Sequence, residues 1–106
     1  MSKLIALGAM LMTFNAFAAR TTLLRCNIPW GELQEVSVIE DSGSYILAQL
    51  NNVGSWREYP MSKSQLKRGR IPLHLTWGDK ATLIRDTEGW SYQSDSGDFY
   101  VLSCQE

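Results

Sequence analysis

Apolar and polar residues alternate along most of the chain with the period of two that is typical of half-buried β-strands. Near the start, Leu24, Cys26 and Ile28 alternate with polar residues, and Pro29 ends the run. The same alternation predicts further strands at residues 36–38, 45–50, 55–59, 80–85, 90–92 and 100–104. No long stretch repeats its apolar residues with a helical period. The pattern therefore predicts a chain built almost wholly from short strands.

The most regular alternation covers residues 70–77, where every odd-numbered position is isoleucine, leucine or tryptophan. Because Pro72 has no N–H to donate to a ladder, this strand should lie at a sheet edge or carry a bulge. Gly78 and Asp79 follow directly and predict a two-residue type II′ turn with positive φ at Gly78. The turn would join the strand to residues 80–85 in a hairpin.

One short helix is predicted, at residues 62–69. Ser62 can cap its first turn, Gln65 lies three residues further on as in a capping box, and Gly69 can end it. Turn residues elsewhere recur every eight to twelve residues or so, a spacing typical of small β-sandwiches and barrels. We therefore expect an all-β domain, a small antiparallel barrel or sandwich of seven to eight short strands.

The start of the chain has a different pattern. Lys3 precedes a mostly apolar run over residues 4–14, which is far shorter than the roughly 20 residues that a membrane span requires. Ala16 and Ala18 are small residues at the two positions that signal peptidase requires. We expect residues 1–18 to be a secretory signal peptide and residues 19–106 to form a single β domain.

An exported domain of this size commonly contains a disulfide, because its core is small. Removal of 18 of the 106 residues leaves 88, with Cys26 and Cys104 as their two cysteines. In an oxidising compartment these cysteines should pair, although a reactive or metal-binding thiol pair is the alternative. Arg25 stands where a lipid-modified cysteine would need a small residue, which argues against a lipoprotein. The expected location is periplasmic or secreted, in a bacterium.

The net charge of the mature chain limits the classes of partner that it is expected to bind. Loss of Lys3 leaves nine basic and eleven acidic residues, so the mature chain has a net charge of about −2. That balance does not favour nucleic acid or an anionic membrane surface as a partner. We expect the partner to be a protein or a cell-envelope polymer.

The residues that could support catalysis or metal binding are few. His74 is the single histidine, on the polar side of its predicted strand, and no nucleophile-elbow pattern surrounds any serine. Asp95 and Asp98 lack the spacing of a calcium loop and are better interpreted as turn residues. Paired carboxylates for glycoside hydrolysis would need a deep cleft, which a chain of this length can hardly build. We expect no cofactor, no metal and no enzymatic activity.

Lys63, Lys67, Arg68 and Arg70 form a cationic segment around the predicted helix. On a helix, Lys63 and Lys67 would be neighbours one turn apart. A solvated charged turn is the simpler interpretation of the segment. The functional interpretation is a contact for an acidic partner, such as a protein patch or a phosphate-bearing envelope polymer.

Four tryptophans are the most unusual feature of the composition. Trp77 and Trp90 lie in regular alternation and are predicted to be core residues. Core packing is also the simpler interpretation for Trp30 and Trp56, although both lie in or near loops, where exposed aromatic residues anchor interfaces and sugars. Trp56 is the better candidate for a partner contact, because it follows a Gly-Ser turn and is flanked by an arginine and a glutamate.

Residues 77–83 (Trp-Gly-Asp-Lys-Ala-Thr-Leu) and 101–105 (Val-Leu-Ser-Cys-Gln) resemble the C-terminal part of the C-type lysozyme inhibitor family. The resemblance implies a small exported bacterial β-barrel whose disulfide joins an early strand to the C-terminus. The family's Ser-Gly-x-x-Tyr motif lies shortly before the tryptophan, whereas here Ser42-Gly43-Ser44-Tyr45 lies far upstream and is one residue shorter. The resemblance therefore assigns no inhibitory residue.

The sequence favours a non-catalytic binding module of the bacterial envelope, with Trp56, Lys63, Lys67 and Arg68 as candidate binding residues. An inhibitor of a secreted hydrolase such as lysozyme is the alternative. An inhibitor should present a projecting loop that fits a cleft, whereas a polymer-binding protein should present aromatic rings on a flat face.

Overall fold

The computed structural model describes residues 20–76 and 80–106, which form two antiparallel β-sheets and one short helix. In chain order the elements are β1 (Arg20–Asn27), β2 (Leu33–Asp41), β3 (Ser44–Asn51), β4 (Trp56–Met61), α1 (Lys63–Arg68), β5 (Arg70–Pro72), β6 (Ala81–Asp86), β7 (Gly89–Ser94), β8 (Phe99–Val101) and β9 (Ser103–Gln105). The predicted signal peptide, its cleavage site and the turn at Gly78 and Asp79 lie outside the described residues, as does Trp77.

The strand order is β4-β3-β2-β1-β9 in the five-stranded sheet and β5-β6-β7-β8 in the four-stranded sheet. This arrangement confirms the predicted all-β class and is sandwich-like. The described chain has nine strands, because the predicted closing strand is divided into β8 and β9. The two halves pair with different sheets, β8 with β7 and β9 with β1.

One apolar core fills the space between the sheets. Its members are the inward-facing residues of both sheets, among them Leu24, Val36, Val38, Leu47, Ile71, Leu83, Trp90, Tyr92 and Leu102. Cys26 and Cys104 are register partners on β1 and β9, and the predicted disulfide joins them. The bond thus fastens the C-terminal strand to the first strand of the five-stranded sheet.

The helix prediction is confirmed in its details. The Ser62 hydroxyl accepts a hydrogen bond from the Gln65 N–H, and the Gln65 side chain accepts one from the Ser62 N–H. Gly69 ends the helix with φ of 70° and ψ of 35°, a left-handed conformation that glycine adopts without a steric penalty. Local chemistry is sufficient to define this element.

The predicted strand at residues 70–77 is wrong in its extent, because β5 ends at Pro72. The expected edge position is confirmed, since β5 is the outermost strand of its sheet. Inward and outward positions still alternate after Pro72: Leu73 is buried and His74 is exposed. The Leu73 N–H donates to the Ala81 carbonyl at 2.9 Å, and beyond that point side chains of the other sheet hold the segment.

Candidate functional site

A channel crosses the outer face of the five-stranded sheet, and its floor consists of small side chains. Ala48 on β3 and Ser37 on β2 are register partners with exposed fractions of only 3% and 6%. The same row across the sheet ends in Glu58 on β4 and Arg25 on β1. The short side chains in the middle of this row therefore lie lower above the sheet than the long charged side chains at its two ends.

Larger side chains border this row on both sides. One neighbouring row consists of Trp56, Leu50, Glu35 and Asn27, and the other consists of Pro60, Ile46, Ile39 and Thr22. Between the two rows lies a depression of about 290 Å³, lined by Thr22, Arg25, Glu35, Ser37, Ile39, Ala48, Trp56 and Glu58. The depression extends over four strands, which at about 4.8 Å per strand spacing is a distance of roughly 14 Å.

Trp56 is the first residue of the edge strand β4, and half of its surface (50%) is exposed beside the channel. Trp30 is 60% exposed and lies against Tyr100, with ring centroids 6.2 Å apart. Core packing, the simpler interpretation from the sequence, is therefore wrong for both residues. Trp30 does not line the channel, so the two rings do not form one platform.

The charged side chains around the channel are paired with one another. Both carboxylate oxygens of Glu58 accept hydrogen bonds from Nη2 of Arg20 at 2.9 Å, and Arg20 also lies 3.4 Å from Asp41. Arg25 donates to both oxygens of Glu35, at 2.9 and 3.3 Å. Exposed ion pairs of this kind contribute little to stability, but they leave no arginine at the channel without a carboxylate.

The cationic segment lies away from the channel. Lys63, Lys67 and Arg68 on α1 are exposed, and none of them forms an ion pair with any residue in 20–76 or 80–106. The length of β4 separates α1 from Trp56, about 20 Å at roughly 3.3 Å per residue. The structure does not bring the four candidate binding residues together in one cluster.

His74 is exposed, as its position on the polar side predicted, but its ring stacks on Tyr59 at a centroid distance of 3.8 Å. Sequence reasoning missed both Tyr59 and Gln49, whose side-chain amide bonds the His74 backbone. The available signal was the position of Gln49, a polar residue at an inward-facing place in its strand.

The loop with Asp95 and Asp98 is a turn, as predicted, in which the Asp98 N–H donates to the Ser94 hydroxyl at 3.0 Å. Among the residues described, no group of three or more histidine, cysteine or acidic side chains is placed to hold a metal ion. In that same part of the chain, no helix has the length and apolar character needed to cross a membrane.

A scan against protein-family models, a search of curated proteins and a search of solved structures each returned no match.

Proposed function

We propose that the mature chain is an exported, non-catalytic binding module of the bacterial envelope that holds a neutral glycan segment in the channel. The observation that supports this proposal is the half-exposed ring of Trp56 beside a channel with a floor of small residues. The ring offers a flat apolar surface on which a sugar can stack, as aromatic residues do in many binding sites.

The charge arrangement favours a neutral ligand over an ionic one. Every arginine at the channel already has a carboxylate partner, so an anionic ligand would have to compete with Glu35 or Glu58. Ligand hydroxyl groups, in contrast, can donate to carboxylates and exchange hydrogen bonds with Thr22 and Ser37 without breaking an ion pair.

A fluorescence titration of the mature protein with neutral N-acetylglucosamine oligomers tests this proposal. We expect the emission of the half-exposed tryptophan to shift on binding, and Trp56→Ala to remove the binding. Trp30→Ala is the matched control, since Trp30 is similarly exposed but lies outside the channel, and it should bind like the parent protein. Absence of binding, or an equal loss in both variants, would contradict the proposal.

The cationic segment provides a second, electrostatic contact in this proposal. An extended polymer that occupies the channel can also reach α1, about 20 Å away, if it bears phosphate or carboxylate groups. The double variant Lys63→Glu/Lys67→Glu should weaken binding of isolated envelope polymer at low salt and have little effect at high salt, where exposed charges are screened. Lys80→Glu is the control for a change in net charge at another position, and it lowers the charge by two where the double variant lowers it by four.

Inhibition of a secreted hydrolase such as lysozyme is the second candidate, and the tip of the β2–β3 hairpin favours it. Ser42 and Gly43 both have positive φ, 52° and 88°, which forms a tight two-residue turn with exposed serines on its surface. A lysozyme activity assay with added mature protein distinguishes the candidates. Inhibition that Ser42→Ala/Ser44→Ala removes and Trp56→Ala retains would support the inhibitor and contradict the glycan proposal.

A further inference from the structure

A second cavity lies on the opposite face of the same sheet, beside the edge strand β4 and the segment that follows β5. There residues 74–76 are held by side chains rather than by backbone pairing with β6. Gln49, only 3% exposed, donates to the His74 carbonyl and accepts from the His74 N–H, both at 2.8 Å. This pair of bonds fixes the position of His74 relative to β3.

A carboxylate fixes the end of the same segment. The Thr76 N–H and hydroxyl both donate to Oε2 of Glu32 at 2.7 Å. The other oxygen of Glu32, Oε1, accepts no hydrogen bond within residues 20–76 and 80–106. With respect to these residues, Oε1 of Glu32 is therefore free to accept a hydrogen bond from a ligand in the cavity.

The space enclosed by these contacts, which we name the edge cleft, has a volume of about 270 Å³ and is lined by Glu32, Asn52, Arg57, Tyr59, His74 and their neighbours. The rings of Tyr59 and His74 are nearly parallel, at an interplanar angle of 8°. Their stacking holds both rings in place before any ligand arrives, which reduces the entropy that a ligand must overcome.

Arg57 provides a cation at the cleft. It is the register partner of Gln49 and shares its face of β4 with Tyr59, two residues further on. Its guanidinium forms neither an ion pair nor a hydrogen bond with any other described residue, unlike Arg20 and Arg25 at the channel. A planar fork of open donors is suited to a carboxylate.

We propose that the edge cleft binds a sugar acid, a small ring that carries one carboxylate and several hydroxyl groups. The carboxylate of the ligand pairs with Arg57, and its sugar ring packs on the Tyr59–His74 pair. Hydroxyl groups of the ligand form hydrogen bonds with Oε1 of Glu32 and with the side-chain amide of Asn52. The cleft is slightly smaller than the sites that hold drug-sized ligands, about 300–1,000 Å³, so it fits a single monosaccharide unit.

NMR titrations of the mature, isotope-labelled protein test the proposal with glucuronate, glucose and acetate as probes. We expect glucuronate to shift the amide signals of Asn52, Arg57 and His74 and to bind at least about tenfold more tightly than glucose or acetate. Glucose lacks the carboxylate, and acetate lacks the ring and its hydroxyl groups. Equal binding of all three probes, or no shift with glucuronate, would overturn the proposal.

Single-residue variants test whether glucuronate binds at Arg57. Arg57→Gln should weaken glucuronate binding at least about tenfold, and Arg57→Lys should restore only part of it, because a single ammonium lacks the fork of guanidinium donors. Lys80→Gln removes an exposed cation that lines neither the edge cleft nor the channel and should leave binding unchanged. Trp56→Ala should also leave it unchanged, so this test is independent of the channel. A loss in Lys80→Gln as large as in Arg57→Gln would contradict the proposed site.

Discussion

Two tryptophans of this chain differ in exposure because their surroundings differ. Trp90 is 3% exposed, packs in the core, donates from Nε1 to Glu106 and lies 5.4 Å from the Arg85 guanidinium. Trp56 lies half in solvent at the start of an edge strand. The sequence around each ring is compatible with a strand, so the difference arises from the sheet face that each one occupies.

The first prediction compares the two rings. Trp56→Ala should lower the free energy of unfolding by less than about 1 kcal/mol, because the ring already contacts water. Trp90→Ala should cost about 3–5 kcal/mol, since it removes a large buried side chain and leaves a cavity. Denaturant unfolding curves of both variants measure these values. A loss of several kcal/mol in Trp56→Ala would show that the ring is part of the core.

The second prediction concerns the amide of Gln49. Gln49→Glu preserves size but replaces the donor to the His74 carbonyl with an acceptor and places a carboxylate in a buried position. We expect a loss of about 2 kcal/mol or more in unfolding free energy, from an unsatisfied carbonyl and a poorly solvated charge. Gln34→Glu, at an exposed position of β2, is the control and should have almost no effect. Similar unfolding curves for both variants would mean that the amide does not hold the segment.

At the scale of elements, the junction between α1 and β5 depends on a glycine. A Cβ on Gly69 would approach the Cβ of Arg85 to 2.9 Å, closer than real Cβ atoms lie. The Gly69 carbonyl also accepts from the Arg85 N–H at 2.9 Å, and Arg85 donates from its side chain to the Lys67 carbonyl at 2.8 Å. The end of the helix is thus packed directly on β6.

The third prediction follows from this close approach. Gly69→Ala should destabilise the protein by more than the roughly 1 kcal/mol that positive φ alone costs an alanine. Gly43→Ala is a matched control, because Gly43 has φ of +88° but no heavy atom beyond its own chain neighbours lies within 4 Å of the place that an alanine methyl would occupy. This variant should therefore show the cost of φ alone. Thermal unfolding of the two variants measures the difference. Equal losses would mean that Arg85 moves aside without cost.

Elements that depend on local chemistry could be predicted from the sequence, and elements that depend on distant residues could not. The helix follows from Ser62, Gln65 and Gly69, all within one short segment. The early end of β5 involves Gln49, which is 25 residues away from His74 and was not recognisable as its partner. Alternation identified the strands but not the order in which they pair.

The same limit applies to the two cavities. The channel exists because Ala48 and Ser37 lie side by side between larger neighbours, and that placement requires the register of four strands. The exposure of Trp56 could be suspected from its charged neighbours, but the pairing of Arg20 and Arg25 with distant carboxylates could not. The edge cleft is lined by residues from loops, from strands and from the segment after β5, and no local sequence pattern indicates that these residues come together.

At the scale of the whole molecule, the closing strands connect the two sheets. β8 and β9 are three residues each, so each half contributes only a few ladder hydrogen bonds. The Leu102 N–H between them donates to the Trp90 carbonyl at 3.0 Å, and the disulfide secures β9 to β1. The covalent bond therefore reinforces one of the short, three-residue strand pairings of the described chain.

The last prediction tests this role of the disulfide. The bond joins residues 78 positions apart, and in the chain-entropy model a loop of that size stabilises the folded state by about 4–5 kcal/mol, from which native strain subtracts. A net loss of about 3 kcal/mol on reduction corresponds to a fall in Tm of well over 10 °C for a domain of this size. Isolated from an oxidising compartment, the mature protein should show no free thiol by mass-tag labelling until it is reduced. Cys26→Ala/Cys104→Ala should melt as low as the reduced protein and should not respond to reductant. Two labelled thiols before reduction would contradict the prediction, because the cysteines would then be present without the bond. An unchanged Tm after reduction would also contradict it, because the bond would then contribute no stability to the sandwich.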